Sequence, residues 1–167
     1  MESHELKFVL EELHFSALLP PELLERLAAE STVRQISAGE ILFREGTVDD
    51  NFYIVHTGRL AIEMSIPGRG PVRILTVGPG DMVGWSALLG QGKMTAAAVA
   101  VEDSEVVVAP AKELRGLCAE NPEFGFHLMK RMADALSRRL VATRLQLLDL
   151  FADTARTVPS GGSEGQR

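Results

Sequence analysis

Short apolar segments separated by glycine-rich turns fill the chain between Thr32 and Ala109, and they constrain the fold more than any other feature. The segments, in order, are TVRQIS, EILF, NFYIVHT, RLAIEMS, VRILTV, TAAAVAV and EVVVA. Between them lie SAGE, REGTVDD, HTGR, PGRG, GPGD, GQGK and EDS, which are typical of turns. Parallel strands would need helical crossovers between them, and the sequence has none in this region. We therefore predict an antiparallel β-roll of jelly-roll type with seven or eight short strands.

Helical segments flank the predicted roll on both sides. LPPELLERLAAES carries Pro21 near a helix start and apolar residues on one face, and AKELRGLCAE follows the last strand as a short helix. Asn121-Pro122-Glu123 is typical of the start of another helix, with asparagine as the N-cap. The predicted fold class is mainly β with flanking helices. The predicted organisation is an N-terminal helix plus roll over 1–120, a long C-terminal helix over 121–155 and a disordered tail over 156–167.

The long C-terminal helix carries apolar positions that alternate in steps of four and three residues. These positions are Met129, Ala133, Leu136, Leu140, Thr143, Leu147 and Leu150. Such a heptad seam is typical of helices that pair with one another, although a helix packed on its own domain can also carry one. A helix of about 30 residues spans about 45 Å, which is longer than a small roll can cover. We therefore predict a homodimer formed through this helix.

Composition and charge exclude several classes of function. The chain of 167 residues has 23 acidic and 17 basic residues, a net charge of −6, which disfavours binding to nucleic acid by this chain alone. The single cysteine, Cys118, cannot form an internal disulfide, and no Cys/His cluster has zinc spacing. No apolar run is long enough to span a membrane, and the charged N-terminus does not resemble a signal peptide. We expect a cytoplasmic protein without a membrane partner, metal or resident cofactor.

Evidence for catalysis in the sequence is weak. The four histidines, His4, His14, His56 and His127, have no partners at metal-ligand spacing. No nucleophile elbow, Walker loop or dinucleotide fingerprint is present, since GPGDMVG lacks the required glycine spacing. The adjacent carboxylates Asp49 and Asp50 are typical of a solvated turn. We therefore predict that the protein is not an enzyme.

Three stretches of the sequence together resemble the pattern of one protein family, which is more specific than any single glycine motif. AGEILFREGTVDDNFYIVHTGRLAI has Gly39, Gly46 and Gly58 at turns, and it is followed by LTVGPGDMVGWSALL and TAAAVAVEDSEVVVA. From about Leu18 to Leu150 this pattern resembles the cyclic nucleotide-binding domain family, and LTVGPGDMVGWSALL resembles the family's phosphate-binding cassette. The resemblance implies a ligand-sensing regulatory domain, with cyclic AMP or cyclic GMP as a possible ligand. It also implies that the terminal helix covers the pocket and forms the dimer.

The cassette departs from the family at its two diagnostic side chains. In the family, a glutamate directly after the cassette glycine holds the ribose 2′-hydroxyl, and an arginine at the cassette's end pairs with the phosphate. Here Trp85 follows Gly84, Thr95 aligns with the arginine, and Lys93 is the nearest base. Loss of the arginine alone is expected to lower affinity by about one to two orders of magnitude. The ligand-binding residues that the resemblance implies are Val83, Gly84, Trp85, Ser86, Ala87, Lys93, Thr95, Ala96 and Thr143.

Two functions follow from this altered cassette. The first is a regulatory module that binds a cyclic nucleotide weakly, or another small anionic ligand, and signals through the C-terminal helix. The second is a dimerisation or interaction module whose pocket has degenerated and takes no ligand. A transcription regulator is a third class, which the acidic balance of this chain alone does not favour. The sequence leaves open whether Trp85 contacts a ligand, by filling the ribose space or stacking on a planar group, or plugs the pocket.

Overall fold

The computed structural model describes residues 3–13, 17–90 and 92–156, with no side-chain description for residues 3–5, 150 and 153–156. Its helices are α1 Ser3–Glu12, α2 Pro21–Glu30, α3 Trp85–Leu88, α4 Ala111–Glu120 and α5 Pro122–Arg156. Its strands are β1 Thr32–Ile36, β2 Ile41–Phe43, β3 Asn51–Thr57, β4 Leu60–Ile66, β5 Gly70–Val77, β6 Met82–Val83, β7 Ala97–Ala100 and β8 Ser104–Pro110. His14 and all of the predicted tail after residue 156 lie outside the described residues.

In the described part of the chain, eight strands form two four-stranded sheets, and every pairing among them is antiparallel. One sheet has the order β1-β8-β3-β6 and the other has the order β2-β7-β4-β5. The predicted fold class, an antiparallel β-roll with a long C-terminal helix, is confirmed. Two details differ from the prediction: the N-terminal part contains two helices, α1 and α2, and the two-residue strand β6 was not expected. A strand of two residues is too short for its alternation to show in a sequence.

The buried side chains form two separate hydrophobic clusters. The first lies between the helices α1, α2, α4 and α5 and the outer face of the β3–β8 sheet, and it includes Phe52, Leu114 and Phe124. The second fills the roll between the two sheets and includes Val55 and Leu60. The short helix α3 contributes to both, since Leu88 belongs to the first cluster and Ala87 to the second. It therefore joins the interior of the roll to the helical layer.

Helix α5 begins with the cap that the sequence predicted. The side-chain oxygen of Asn121 accepts a hydrogen bond from the Phe124 amide at 3.0 Å, which satisfies one of the unpaired donors of the first turn. Phe124, Leu128 and Met132 then bury against the first cluster. Further along, the Gln146 side-chain amide donates to the Ile74 carbonyl at 2.6 Å. The helix therefore packs on the helical layer first and runs past β5 afterwards.

A histidine flanked by two carboxylates links α1 to the roll. His56 on β3 lies with Nδ1 2.7 Å from Glu105 on β8 and with Nε2 3.2 Å from Glu12 on α1. Burial by itself would lower the pKa of His56, but the two hydrogen-bonded carboxylates outweigh it and raise this pKa above its ordinary value. When it is protonated, the imidazole donates to both carboxylates and joins α1 to the β3–β8 strand pair of the roll.

Candidate functional site

A left-handed glycine turns the chain from β6 into α3. Gly84 has φ +82°, and a Cβ at this position would lie 2.9 Å from the Asn51 carbonyl oxygen and 3.1 Å from the Tyr53 ring. Any L-residue here would combine backbone strain with a steric clash. The sequence therefore needs glycine at this turn for both reasons. Trp85, which follows it, is the first residue of α3.

The segment after α3 is held in place by the loop between β2 and β3. The Asp49 amide donates to the Gly92 carbonyl at 2.9 Å, and the Met94 amide donates to the Thr47 carbonyl at 2.8 Å. The Tyr53 hydroxyl donates to the Asp49 carboxylate at 2.6 Å. Burial and this bond to Asp49 raise the pKa of Tyr53 well above its ordinary value, so the phenol stays protonated as a donor. The cassette backbone is thus fixed from one side by a hydrogen-bonded loop.

A small cavity lies where α3, the roll and α5 meet. It is lined by Phe43, Ile62, Val83, Gly84, Trp85, Ser86, Met94, Thr95, Ala96 and Arg139. Its volume is about 20 Å³, enough for about one water-sized group, whereas sites for small organic ligands enclose about 300–1,000 Å³. In this conformation the cavity admits only the head of a small polar group, and a nucleotide requires lining side chains to move.

Trp85 is the largest of the lining side chains, and it is half-buried. Its indole also lines an adjoining crevice with Phe52, Met132 and Leu136, and it packs against the helical cluster. The ring therefore separates the small cavity from the apolar underside of α5. Displacing it would enlarge the cavity and uncover apolar surface on α5 at the same time.

Arg139 of α5 lines the cavity and places a positive charge beside it. Its Nη2 donates to the Met82 carbonyl at 2.9 Å. Burial lowers the pKa of Arg139 from its ordinary value, and the charge of Asp81 opposes this effect. An arginine stays cationic in spite of such shifts. The site therefore contains a guanidinium, although the sequence alignment predicts Thr95 at the position of the arginine in the resembled family.

The residues predicted for the site divide into two groups. Val83, Gly84, Trp85, Ser86, Thr95 and Ala96 line the cavity together. Ala87, Lys93 and Thr143 do not line it. The Ala87 carbonyl accepts from Arg115 at 2.6 Å, Lys93 is exposed opposite Val48, and the Thr143 hydroxyl donates to the Arg139 carbonyl at 2.9 Å.

Sequence reasoning missed four lining residues, namely Phe43, Ile62, Met94 and Arg139. The first three are apolar and read as ordinary core positions. Arg139 left a signal, because it lies three residues after Leu136 and four before Thr143. It therefore shares their helical face, which points toward the domain.

The part of the chain that the structure describes contains no cluster of three or more His, Cys, Asp or Glu that could hold a metal ion. None of the described helices is both long enough and apolar enough to cross a bilayer. Burial raises the pKa of Cys118, so its thiol is less readily ionised than an exposed one. The chemistry of the site therefore comes from backbone groups, hydroxyls, an indole and one guanidinium.

Known proteins share this architecture and sequence pattern. The sequence model of the cyclic nucleotide-binding domain matches residues 33–121. The chain is 29% identical over 132 residues to the CRP-like cAMP-activated global transcriptional regulator of Mycobacterium tuberculosis, covering 78% of this chain and 57% of that protein. It is 28% identical over 138 residues to the cyclic AMP receptor protein of Thermus thermophilus, covering 83% and 62%. The chain thus spans about three fifths of the length of these two relatives.

A solved structure extends the likeness to almost the whole of another chain. A putative cyclic nucleotide-binding protein from Geobacter metallireducens is 26% identical, with a TM-score of 0.66, over 84% of this chain and 98% of that one. The match of the domain model covers more than half of the chain. The protein belongs to the cyclic nucleotide-binding domain family, as the sequence resemblance predicted.

Proposed function

We propose that the protein is a ligand-sensing regulatory domain that binds a small anion and signals through α5. The observation that carries the proposal is the composition of the cavity wall, because it combines the cassette residues Gly84, Trp85 and Ser86 with Arg139 of α5. A ligand there touches the roll and the helix together, so ligand binding and the position of α5 are energetically linked. Regulation, not catalysis, is the function that such a site supports, and we place it in the cytoplasm.

Cyclic AMP and cyclic GMP are the ligands that family membership favours, and we propose that either binds weakly. Trp85 occupies the position of the ribose-binding glutamate, and Thr95 occupies that of the phosphate-binding arginine. The small cavity adds a second cost, because the indole must move before a nucleotide fits. A smaller anion, such as a carboxylate, lowers that cost.

The output of the sensor is proposed to be a parallel homodimer through α5. Leu140, Leu147 and Leu148 are half or more exposed on the described part of this helix. Two copies that pair along this stripe would bury it in a coiled-coil contact. One relative named above is a transcriptional regulator, whereas the net charge of −6 argues against nucleic-acid binding by this chain alone.

A thermal-shift screen tests the sensing function. The probes are cyclic AMP, cyclic GMP, cyclic dinucleotides, other nucleotides, acetate and phosphate. A ligand at 100 times its dissociation constant is expected to stabilise the fold by about 2.7 kcal/mol. Stabilisation by none of these probes would contradict anion sensing.

The cassette itself is tested by restoring its missing side chains. The double variant Trp85→Glu/Thr95→Arg is expected to bind cyclic AMP about tenfold to a hundredfold more tightly than the unmodified protein, measured by titration calorimetry. The two single variants are the matched controls, and each is expected to gain less than the pair. Tight binding by the unmodified protein would show that other residues replace the missing pair.

One observation favours the second function, a dimerisation or interaction module with a degenerate pocket. The cavity holds about 20 Å³ with Trp85 in its wall, as a plugged pocket would. The two functions separate cleanly in the screen. A module of the second kind stays dimeric in light scattering and responds to no probe.

A further inference from the structure

The guanidinium of Arg139 is a charge whose partners among the described residues are weak. Its hydrogen bond runs to a neutral group, the Met82 carbonyl. Among the ion pairs that the described residues form, none includes Arg139. The nearby carboxylate of Asp81 is shared, since it accepts from the Gly78 amide at 2.9 Å and lies 3.6 Å from Arg138. A partly buried cation with one neutral hydrogen-bond acceptor and a shared carboxylate nearby is only partly compensated.

The location of Arg139 beside the small cavity allows its charge to bind an anion there. The same side chain lines the small cavity beside Trp85 and two hydroxyl residues, Ser86 and Thr95. A guanidinium presents five N–H donors in a planar fork, which suits the two oxygens of a carboxylate or phosphate. Ser and Thr hydroxyls supply further donors of the kind an oxyanion accepts. The other lining side chains are apolar, so an ion pair in the cavity has a less polar surrounding than one in bulk water.

We infer that Arg139 is the residue that binds the anionic group of the ligand, so that the counter-charge of this site comes from α5 and not from the cassette. This inference rests on the proposed function, that the cavity binds a small anion. The ligand class is an oxyanion, either a free carboxylate or the phosphodiester of a nucleotide. An anion bound in this way stabilises the position of α5 that places Arg139 at the cavity, because its main ionic partner belongs to that helix.

The size of the cavity distinguishes the two sources of the oxyanion, a free carboxylate and the phosphodiester of a nucleotide. At about 20 Å³, it accepts one head group with the lining as it stands. The carboxylate of acetate therefore requires less movement of the indole than cyclic AMP, which enters only when Trp85 leaves its position. Trp85 is the only tryptophan of the chain, so its fluorescence distinguishes the two events.

The test uses two pairs of probes that differ in charge, acetate with acetamide and cyclic AMP with adenosine. Binding to the full chain is followed by Trp85 fluorescence and by calorimetry. At least one anionic probe is expected to bind the unmodified protein about tenfold or more tightly than its neutral partner. Arg139→Gln and Arg139→Met are expected to abolish that preference, a loss of about tenfold to a hundredfold in anion affinity. Arg138→Gln is the matched control, because Arg138 is the exposed neighbour and does not line the cavity.

A second measurement does not depend on variants that remove the charge. In the unmodified protein, the ¹⁵Nε resonance of Arg139, assigned from its absence in Arg139→Lys, is expected to shift on titration with the anion that binds. A shift of the Arg138 resonance alone contradicts the inference.

The outcomes separate this inference from the proposed function. Anion binding that persists within twofold in Arg139→Gln, or an Arg139 resonance that does not move, overturns the inference and leaves anion sensing in place. Failure of both anions to bind the unmodified protein overturns the proposed function and this inference with it. Loss of the charge preference in the Arg139 variants, with Arg138→Gln unaffected, supports both.

Discussion

The two halves of α5 have similar apolar content but opposite environments. In the first half, Phe124, Leu128 and Met132 are buried in the helical cluster. In the second half, Leu140, Leu147 and Leu148 expose half or more of their surface. The proximal half is thus an element of the domain core, and the distal half presents an apolar stripe to solvent. Arg139 and Trp85 lie at the boundary between them.

The difference shows that a single heptad pattern can serve two purposes along one helix. Periodicity reports that one face is apolar, and it does not report which structure covers that face. Here the domain covers the first four turns. A substitution at the boundary between the two halves is therefore expected to affect both the stability of the fold and the surface on which we propose dimerisation. Three tests sharpen this contrast and a fourth is independent of it, in decreasing order of expected effect.

Phe124→Ala tests the buried half and is expected to have the largest effect. Phe124 is 0% exposed, so truncation removes a full aromatic contact and is expected to destabilise the fold by about 3–5 kcal/mol. Phe126→Ala is the matched control, because Phe126 is 65% exposed on the same helix. Its effect is expected to stay within about 0.5 kcal/mol. Urea unfolding measures both, and equal effects would remove the distinction between the two faces.

Leu140→Asp and Leu147→Asp test the exposed half. Each places a charge in the proposed seam, where an unpaired buried charge costs about 3–5 kcal/mol, so the dimer is expected to dissociate. Because both leucines are half-exposed within one chain, the stability of the monomer is expected to change little. Light scattering after gel filtration gives the mass. Ser137→Asp, an exposed position off the seam, is the control that is expected to remain dimeric; a monomeric unmodified protein at tens of micromolar would contradict the model.

Trp85→Ala tests the boundary between the halves. The half-buried indole packs against the helical cluster that includes Met132 and lines a crevice with Leu136, so its removal is expected to cost about 2–3 kcal/mol, less than a fully buried aromatic. If the indole plugs the site, its emission is blue-shifted and no probe alters it. If it contacts a ligand, emission changes with the same midpoint as the thermal shift. A neutral substitution with exposed, ligand-insensitive emission would contradict both interpretations.

His56→Gln has the smallest expected effect and is independent of α5. Because the folded-state pKa of His56 is raised above its ordinary value of 6.5, its contribution is fully present below that value and is lost as pH rises through the folded pKa. The unmodified protein is therefore expected to exceed the variant in stability at pH 5.5, by about 1 kcal/mol or less, and to match it near pH 8.5. Urea unfolding at the two values measures this. A difference that does not depend on pH would show that packing, not charge, links α1 to the roll.

The roll was predictable because its strands are short segments rich in β-branched residues, and each is followed by residues typical of a turn. All seven segments identified in the sequence correspond to strands, whereas β6 was missed because two residues show no alternation. The start of α5 was equally clear, since Asn121 and Pro122 have direct roles at a helix N-terminus. Local rules therefore sufficed wherever the structure is decided by neighbouring residues.

The site was only partly predictable, for a physical reason. Gly84 and the residues that follow it are contiguous, so a local pattern predicts that they lie together. Arg139 lines the cavity although it lies 55 residues after Gly84 in the chain, and Phe43 lines it although it lies well before Gly84. Which long-range side chain lines a cavity depends on how the helix docks on the domain.

The pairing of β1 with β8 has a consequence for how the chain reaches its fold. Thr32 pairs with Val108 and Ile36 with Ser104, so the first strand finds its neighbour only across most of the roll. Contacts of such sequence separation slow folding, because a large loop must close before any pairing energy is gained. During synthesis, β1 emerges well before β8, and the backbone groups that pair with β8 stay unpaired until that strand has been made. The charged and polar side chains of Arg34 and Gln35 on this strand then limit premature association between nascent chains.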